Sequence, residues 1–237
     1  MDISAKLDAL HAEARGNKWM RYFTTFTRLA LAAGFLAAGY VKIIGERFTD
    51  LHNNQPLGHY LEALHHTGYY YTFIGYVQVL AALLLLIPRT VLLGTLLYLP
   101  VILNICMLSL ALRFEGSLLT SPMMVIACVY LLCWHYDRIK YIFPGFNPPS
   151  VPLSKTDKFP KWFFAGVFTI FLAVGFTVTH MYNLMPRNTL SDCERQCADS
   201  ENPAACKIFC KGVHVKGQDL NRSLEDYERA IQKAKNK

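Results

Sequence analysis

Five apolar stretches decide what this chain can become. They run over about 29–45 (LALAAGFLAAGYVKIIG), 69–88 (YYYTFIGYVQVLAALLLLIP), 90–112 (TVLLGTLLYLPVILNICMLSLAL), 117–135 (SLLTSPMMVIACVYLLCWH) and 162–185 (WFFAGVFTIFLAVGFTVTHMYNLM). A helix needs about 20 residues to cross the hydrocarbon core of a bilayer, and each stretch is near that length. Lipid offers no partner for a free backbone group, so each stretch must be helical. Charge is scarce, at 17% of residues, against about a quarter in a soluble domain. A single block of this kind also suits a buried core helix. Five of them, with aromatic and basic flanks, read as membrane spans.

The lysines and arginines set an orientation. Lys6, Arg15, Lys18, Arg21 and Arg28 lead into the first span, Arg89 sits in the turn after the second, and Arg138, Lys140, Lys155, Lys158 and Lys161 precede the last; the opposite side offers Arg47 and Arg113. Positive charge stays in the cytoplasm, so the N-terminus is expected inside and the C-terminus outside. The net charge of +7 is then a topology signal. No compact basic and aromatic patch accompanies it, so no nucleic-acid partner is expected. The first apolar block follows a charged segment and lacks a small-residue cleavage site, so no cleavable signal peptide is expected.

Between the spans the chain divides readily. Residues 1–21 form a cytoplasmic amphipathic segment, with Ile3, Leu7, Leu10 and Ala14 at helical spacing, that lies on the membrane surface or docks on the bundle. Residues 46–68 are an outer loop with a short helix near 57–66. IPRT is a tight turn that makes the second and third spans antiparallel neighbours. A proline-rich cytoplasmic strap over 144–161 separates a four-span unit, 22–143, from a fifth transmembrane helix, 162–185. Residues 186–237 are a polar tail.

Polar residues inside the spans are few. Ala30, Gly34 and Ala38 recur every four residues of the first span and favour close helix packing. Lys42 lies near the outer end of that span, where it can snorkel, pair with Glu46, or face a ligand. Gln78 and Asn104 fall near mid-span on the two helices joined by the tight turn. Either they tie helices together, or with Lys42 they line a pocket for a quinone head group or a lipid. His180 reads as interfacial, and HHTGYYY, with His52 and His59 nearby, resembles an aromatic interface belt more than a metal site. No catalytic residues are assigned, no resident metal is expected, and no cofactor is certain, with quinone or lipid as the candidates.

RLALAAGFLAAGYVKIIGERFTD, followed by GYVQVLAALLLLIPRTVLLGTLLYLPVILNI, resembles the DoxX-like family of bacterial membrane proteins over about 22–143. The residues that carry the resemblance are Arg28, Gly39-x-x-Lys42, Gly75 with Gln78, the leucine run 83–86 ending at Arg89, and Gly94. The family pattern often has Glu where this chain has Gln78, and an amide cannot titrate. The resemblance implies a four-helix membrane fold in a bacterial inner membrane. It implies an activity far less firmly, although the family is named for a subunit of a quinone-reducing enzyme.

CERQCADSENPAACKIFC places two C-x-x-x-C pairs in the outer tail. Cysteines at i and i+4 share one helix face, so the stretch reads as a helical hairpin. Nested pairing would join Cys193 to Cys210 and Cys197 to Cys206, in an oxidising periplasm. A four-thiolate zinc site and a redox-active pair are the rivals. Beyond them Leu220, Leu224, Tyr227 and Ile231 make an apolar stripe that needs a cover. A partner protein or a second copy is expected to supply it. The whole is read as an all-α polytopic bundle of the inner membrane, with N-terminus cytoplasmic and C-terminus periplasmic. Its leading role is a non-catalytic accessory or scaffold subunit of an envelope complex. Its partners are membrane lipids and other envelope proteins, and a quinone-linked redox subunit is the alternative.

Overall fold

Helices and no β-strand make up the described residues of the computed structural model, which are 3–49, 56–112, 115–140, 157–181, 189–218 and 220–235. In chain order the helices are α1 (Ile3–Gly16), α2 (Lys18–Ile43), α3 (Pro56–His65), α4 (Tyr69–Leu86), α5 (Val91–Leu112), the single turn α6 (Glu115–Leu118), α7 (Thr120–Trp134), α8 (Tyr136–Ile139), α9 (Lys161–Phe176, continued by a π-turn over Thr177–Met181), α10 (Leu190–Gln196, followed by a 3-10 turn over Cys197–Asp199), α11 (Pro203–His214) and α12 (Leu220–Lys235). Five segments are long and apolar enough to cross a membrane: Lys18–Ile43, Tyr69–Leu86, Val91–Leu112, Gly116–Trp134 and Lys161–His180. The protein is a multi-pass membrane protein. The chain forms two compact units, Met1–Glu46 with Tyr69–Tyr182, and Arg47–Gly68 with Asn183–Lys237. The strap residues 144–156, His52 and the outer-loop residues 50–55 lie outside the described residues.

In the first unit α2 packs along α4, α4 on α5, α5 on α7, and α2 meets α7. The buried face of α2 is Thr24, Thr27, Leu31, Phe35, Gly39 and Lys42, a step of three or four residues that keeps one side of the helix inward. Its core partners are Ala81, Ala82 and Leu85 of α4, Val91, Tyr98 and Ile102 of α5, and Cys128 and Leu131 of α7. Tyr98 stacks on Phe35 and donates its hydroxyl to the Leu31 carbonyl at 3.1 Å, so a buried phenol keeps its hydrogen bond.

α2 begins well before its apolar block. Asn17 caps it, its side-chain oxygen accepting from the N–H groups of Trp19 (2.9 Å) and Met20 (3.3 Å). Its 26 residues extend about 39 Å at 1.5 Å per residue. The hydrocarbon core is about 30 Å thick, so one end of α2 must reach past it. Its charged residues other than Lys42, namely Lys18, Arg21 and Arg28, sit in its N-terminal half.

α1 docks on the bundle by its polar face, and the apolar stripe expected to seat it points away. Asp8 is buried against Lys140 at 3.2 Å, Arg15 binds Asp137 at 2.6 Å, and His11 Nε2 lies 3.0 Å from the Trp134 carbonyl oxygen. Leu7 and Leu10 are exposed. The reason is local: α8 and the end of α7 offer a carboxylate, an ammonium and a free helix-end carbonyl rather than an apolar groove.

α9 stands apart. Its first turn meets the bundle through Phe163 and Phe164, whose rings lie 5.3 and 5.5 Å from that of Phe23, and none of its residues is buried.

The second unit holds α3 and the tail helices. Arg47 pairs with Glu62 at 3.1 Å and donates to the Gly58 carbonyl at 3.2 Å. Thr189 caps α10: its hydroxyl accepts from the Asp192 N–H at 3.3 Å, while the Asp192 carboxylate accepts from the Thr189 N–H at 3.2 Å. The Thr189 hydroxyl, which also donates to the Asp192 carboxylate at 2.5 Å, and the Thr189 N–H together hold that carboxyl below its usual range. The small core comprises Cys193, Cys197, Cys206, Phe209, Cys210 and Val213 with Tyr227 and Ile231 of α12.

Candidate functional site

Lys42 and Gln78 occupy the interface of α2 and α4. The two backbones come close there because Gly39 and Gly75 face each other: a Cβ on Gly39 would lie 2.8 Å from the Gly75 oxygen, and one on Gly75 would lie 2.8 Å from the Gly39 oxygen. Lys42 is buried one turn beyond Gly39, with Nζ donating to the Ala38 carbonyl at 3.0 Å and lying 5.9 Å from the centre of the Tyr71 ring. Gln78 is fully buried, and neither its amide nitrogen nor its oxygen has a hydrogen-bond partner among the described residues. A buried amide without partners is uncommon, because leaving it unpaired is costly.

Asn104 does not join them. The inward face of α5 is Val91, Gly94, Thr95, Tyr98, Ile102, Cys106 and Ser109, and Asn104, two residues past Ile102, lies exposed on the other side. At 3.6 residues per turn a step of two crosses the helix. The three-residue pocket expected from the sequence therefore reduces to Lys42 and Gln78.

A second polar group lies at the opposite end of α2. Arg21, Thr24, Thr25 and Arg28 share one face of that helix at positions i, i+3, i+4 and i+7. With Arg15 of α1 and Trp134 of α7 they line a cleft of about 340 Å³. Arg28 reaches across to α4, its Nε donating to the Leu85 carbonyl and its Nη2 to the Leu86 carbonyl, both at 2.9 Å. It thus satisfies two of the carbonyls that a helix C-terminus leaves open. Thr24 donates its hydroxyl to the Met20 carbonyl at 2.8 Å and lies 2.7 Å from the Tyr130 hydroxyl. Sequence reasoning used these residues only for orientation and resemblance. The R-x-x-T-T-x-x-R spacing was the signal that could have marked them as one face.

In the tail unit the structure bonds Cys193 to Cys210 and Cys197 to Cys206, the nested order. Sulfurs held in these bonds leave no thiolate to offer a metal. The stripe expected to await a partner is covered within the chain: Tyr227 and Ile231 are buried and Leu220 and Leu224 are partly buried against the cysteine core. The Phe209 and Tyr227 rings lie 5.9 Å apart. The reason is that α11 carries its own apolar face, and a turn through Gly217, with φ of 62°, brings α12 back onto it.

Comparison with known proteins adds kinship to this geometry. Over 122 residues the chain is 35% identical to the uncharacterized protein YwoB of Bacillus subtilis (strain 168), a match that covers 48% of this chain and 77% of that protein. The chain belongs to the YwoB family. No family model matches it and no solved structure matches it. YwoB is described by no activity, so the kinship brings none to the arginine cleft or to the Lys42 and Gln78 interface.

Proposed function

We propose that this member of the YwoB family is a DoxX-like protein of the bacterial inner membrane, acting as a non-catalytic accessory or scaffold subunit of a larger envelope complex. One observation carries the reading. The residues behind the DoxX-like resemblance serve helix packing. Arg28 holds the end of α4, Gly39 and Gly75 let α2 and α4 touch, and a Cβ on Gly94 would lie 2.8 Å from the Leu85 nitrogen. Residues engaged in holding helices together are not free for chemistry. The outer loop and tail, which share one compact unit, would form the periplasmic surface that meets another envelope protein or a second copy. In this reading the N-terminus and the strap are cytoplasmic.

A photo-crosslinking residue placed at Ile208 or Val215, which are 72% and 66% exposed, tests the role in intact cells. The expected result is one discrete adduct, whose mass separates a second copy from another protein. Adducts no different from those given by the same probe at Phe168 of α9 would reject the scaffold role.

A quinone-linked redox subunit is the second reading, and the unpartnered Gln78 amide favours it. Gln78→Leu separates the two. If the position only packs, removing a buried amide without partners should raise stability by about 1–3 kcal/mol and leave co-extracted quinone unchanged. Loss of bound quinone with the fold intact would instead establish the pocket. Thermal unfolding in detergent, with quinone extraction from the same sample, reads both.

A further inference from the structure

The arginine cleft has a feature that helix packing does not explain. Three arginines, Arg15, Arg21 and Arg28, line one small cleft, and among the described residues only one carboxylate answers them. Asp137 binds Arg15 at 2.6 Å. Arg28 is held by two carbonyls, which leave donors of its planar fork unused. Arg21 makes no ion pair and no side-chain hydrogen bond among the described residues. Two cations thus face the cleft without a carboxylate among the described residues to neutralise them, on a helix that enters the membrane. Arg21 is exposed and Arg28 half-buried, so both forks are open to an incoming anion.

The surroundings say what kind of anion. The cavity of about 340 Å³ falls at the lower end of the range of about 300–1,000 Å³ for small-molecule sites. Arginine forks match phosphate oxygens in pairs. Next to the cleft α2 exposes Trp19, Tyr22, Phe26 and Leu29, an aromatic and apolar surface suited to the boundary between headgroups and acyl chains. We propose that the cleft is a phosphate-binding site in which Arg21 and Arg28 hold the oxyanion. The phosphate is that of an anionic phospholipid headgroup lying along α2, or a free phosphate from solution.

Arg21 is the residue to change, because it supports nothing else, whereas Arg28 also caps α4. The full chain in lipid-free detergent is titrated with phosphatidylglycerol and read by native mass spectrometry, and inorganic phosphate is titrated separately by calorimetry. At least one of the two should bind at a single site, and Arg21→Gln should weaken that binding about ten-fold, the loss of a charge-assisted hydrogen bond. Arg89→Gln, which removes the same charge from the exposed turn after α4, should leave it unchanged. Binding of the lipid that phosphate does not displace assigns the headgroup as the source. Binding of phosphate alone, or displacement of the lipid by it, assigns the soluble ion. The site does not exist if neither ligand binds, if Arg21→Gln binds as the unaltered chain does, or if Arg21→Gln and Arg89→Gln weaken binding equally.

Discussion

Gly39→Val is expected to destabilise the membrane unit by about 3 kcal/mol or more, the upper end of what overpacking costs. A Cβ at Gly39 would lie 2.8 Å from the Gly75 carbonyl oxygen and 2.8 Å from Val79 Cγ2. The first of these is backbone and cannot swing aside, so α2 and α4 must separate to admit the side chain. That separation would also loosen Lys42 and Gln78, which sit in the same seam. Gly166→Val in α9 is the control, since nothing lies within 4 Å of a Cβ there. It makes the same chemical change in a membrane helix and should be nearly neutral. Thermal unfolding of both variants in one detergent decides the matter. Equal behaviour would mean that the α2–α4 contact is looser than described.

Removing the disulfides should unfold the tail helices and spare the spans. The bridges close sequence separations of 17 and 9 residues, and a loop of about 15 residues is worth roughly 3 kcal/mol in the chain-entropy account. The core they staple is small, and domains below about 40 residues seldom hold without such staples. The four cysteines are themselves part of that core, so Cys→Ser changes also place hydroxyls in an apolar interior. Hydrogen exchange under an impermeant reductant is the measurement. Amides of α10, α11 and α12 should lose protection while those of α5 keep theirs. Protection that persists in α11 and α12 after reduction would show that packing of Phe209, Val213, Tyr227 and Ile231 suffices alone.

The spans were legible because lipid demands long apolar runs, and length alone marks them. What each span buries was not. α5 is apolar on every side, and a helix without a polar face gives no periodic signal of which side packs. Gln78 and Asn104 therefore looked alike in the sequence, yet one is fully buried and the other exposed. The start of α2 was hidden for a related reason: hydropathy marks where lipid begins, while the helix continues through the basic residues before it. The cysteine spacing placed two helices face to face, because i and i+4 share a side. The cover for Leu220, Leu224, Tyr227 and Ile231 was missed because the apolar face of α11 is broken up by cysteines, and pairing two short helices is a long-range contact that neither announces.

Over Lys161–Phe176 the fifth span buries none of its residues, and in the turn that follows Val178 is buried. An ordinary core helix is constrained at each inward position by the neighbour it touches. Beyond its first turn α9 has little of that constraint, so over evolutionary time its residues can exchange freely among apolar types, as long as the run stays long enough. Its message is a length rather than a spelling. A helix of this kind can accept many apolar sequences, while the seam of Gly39 and Gly75 tolerates almost no revision.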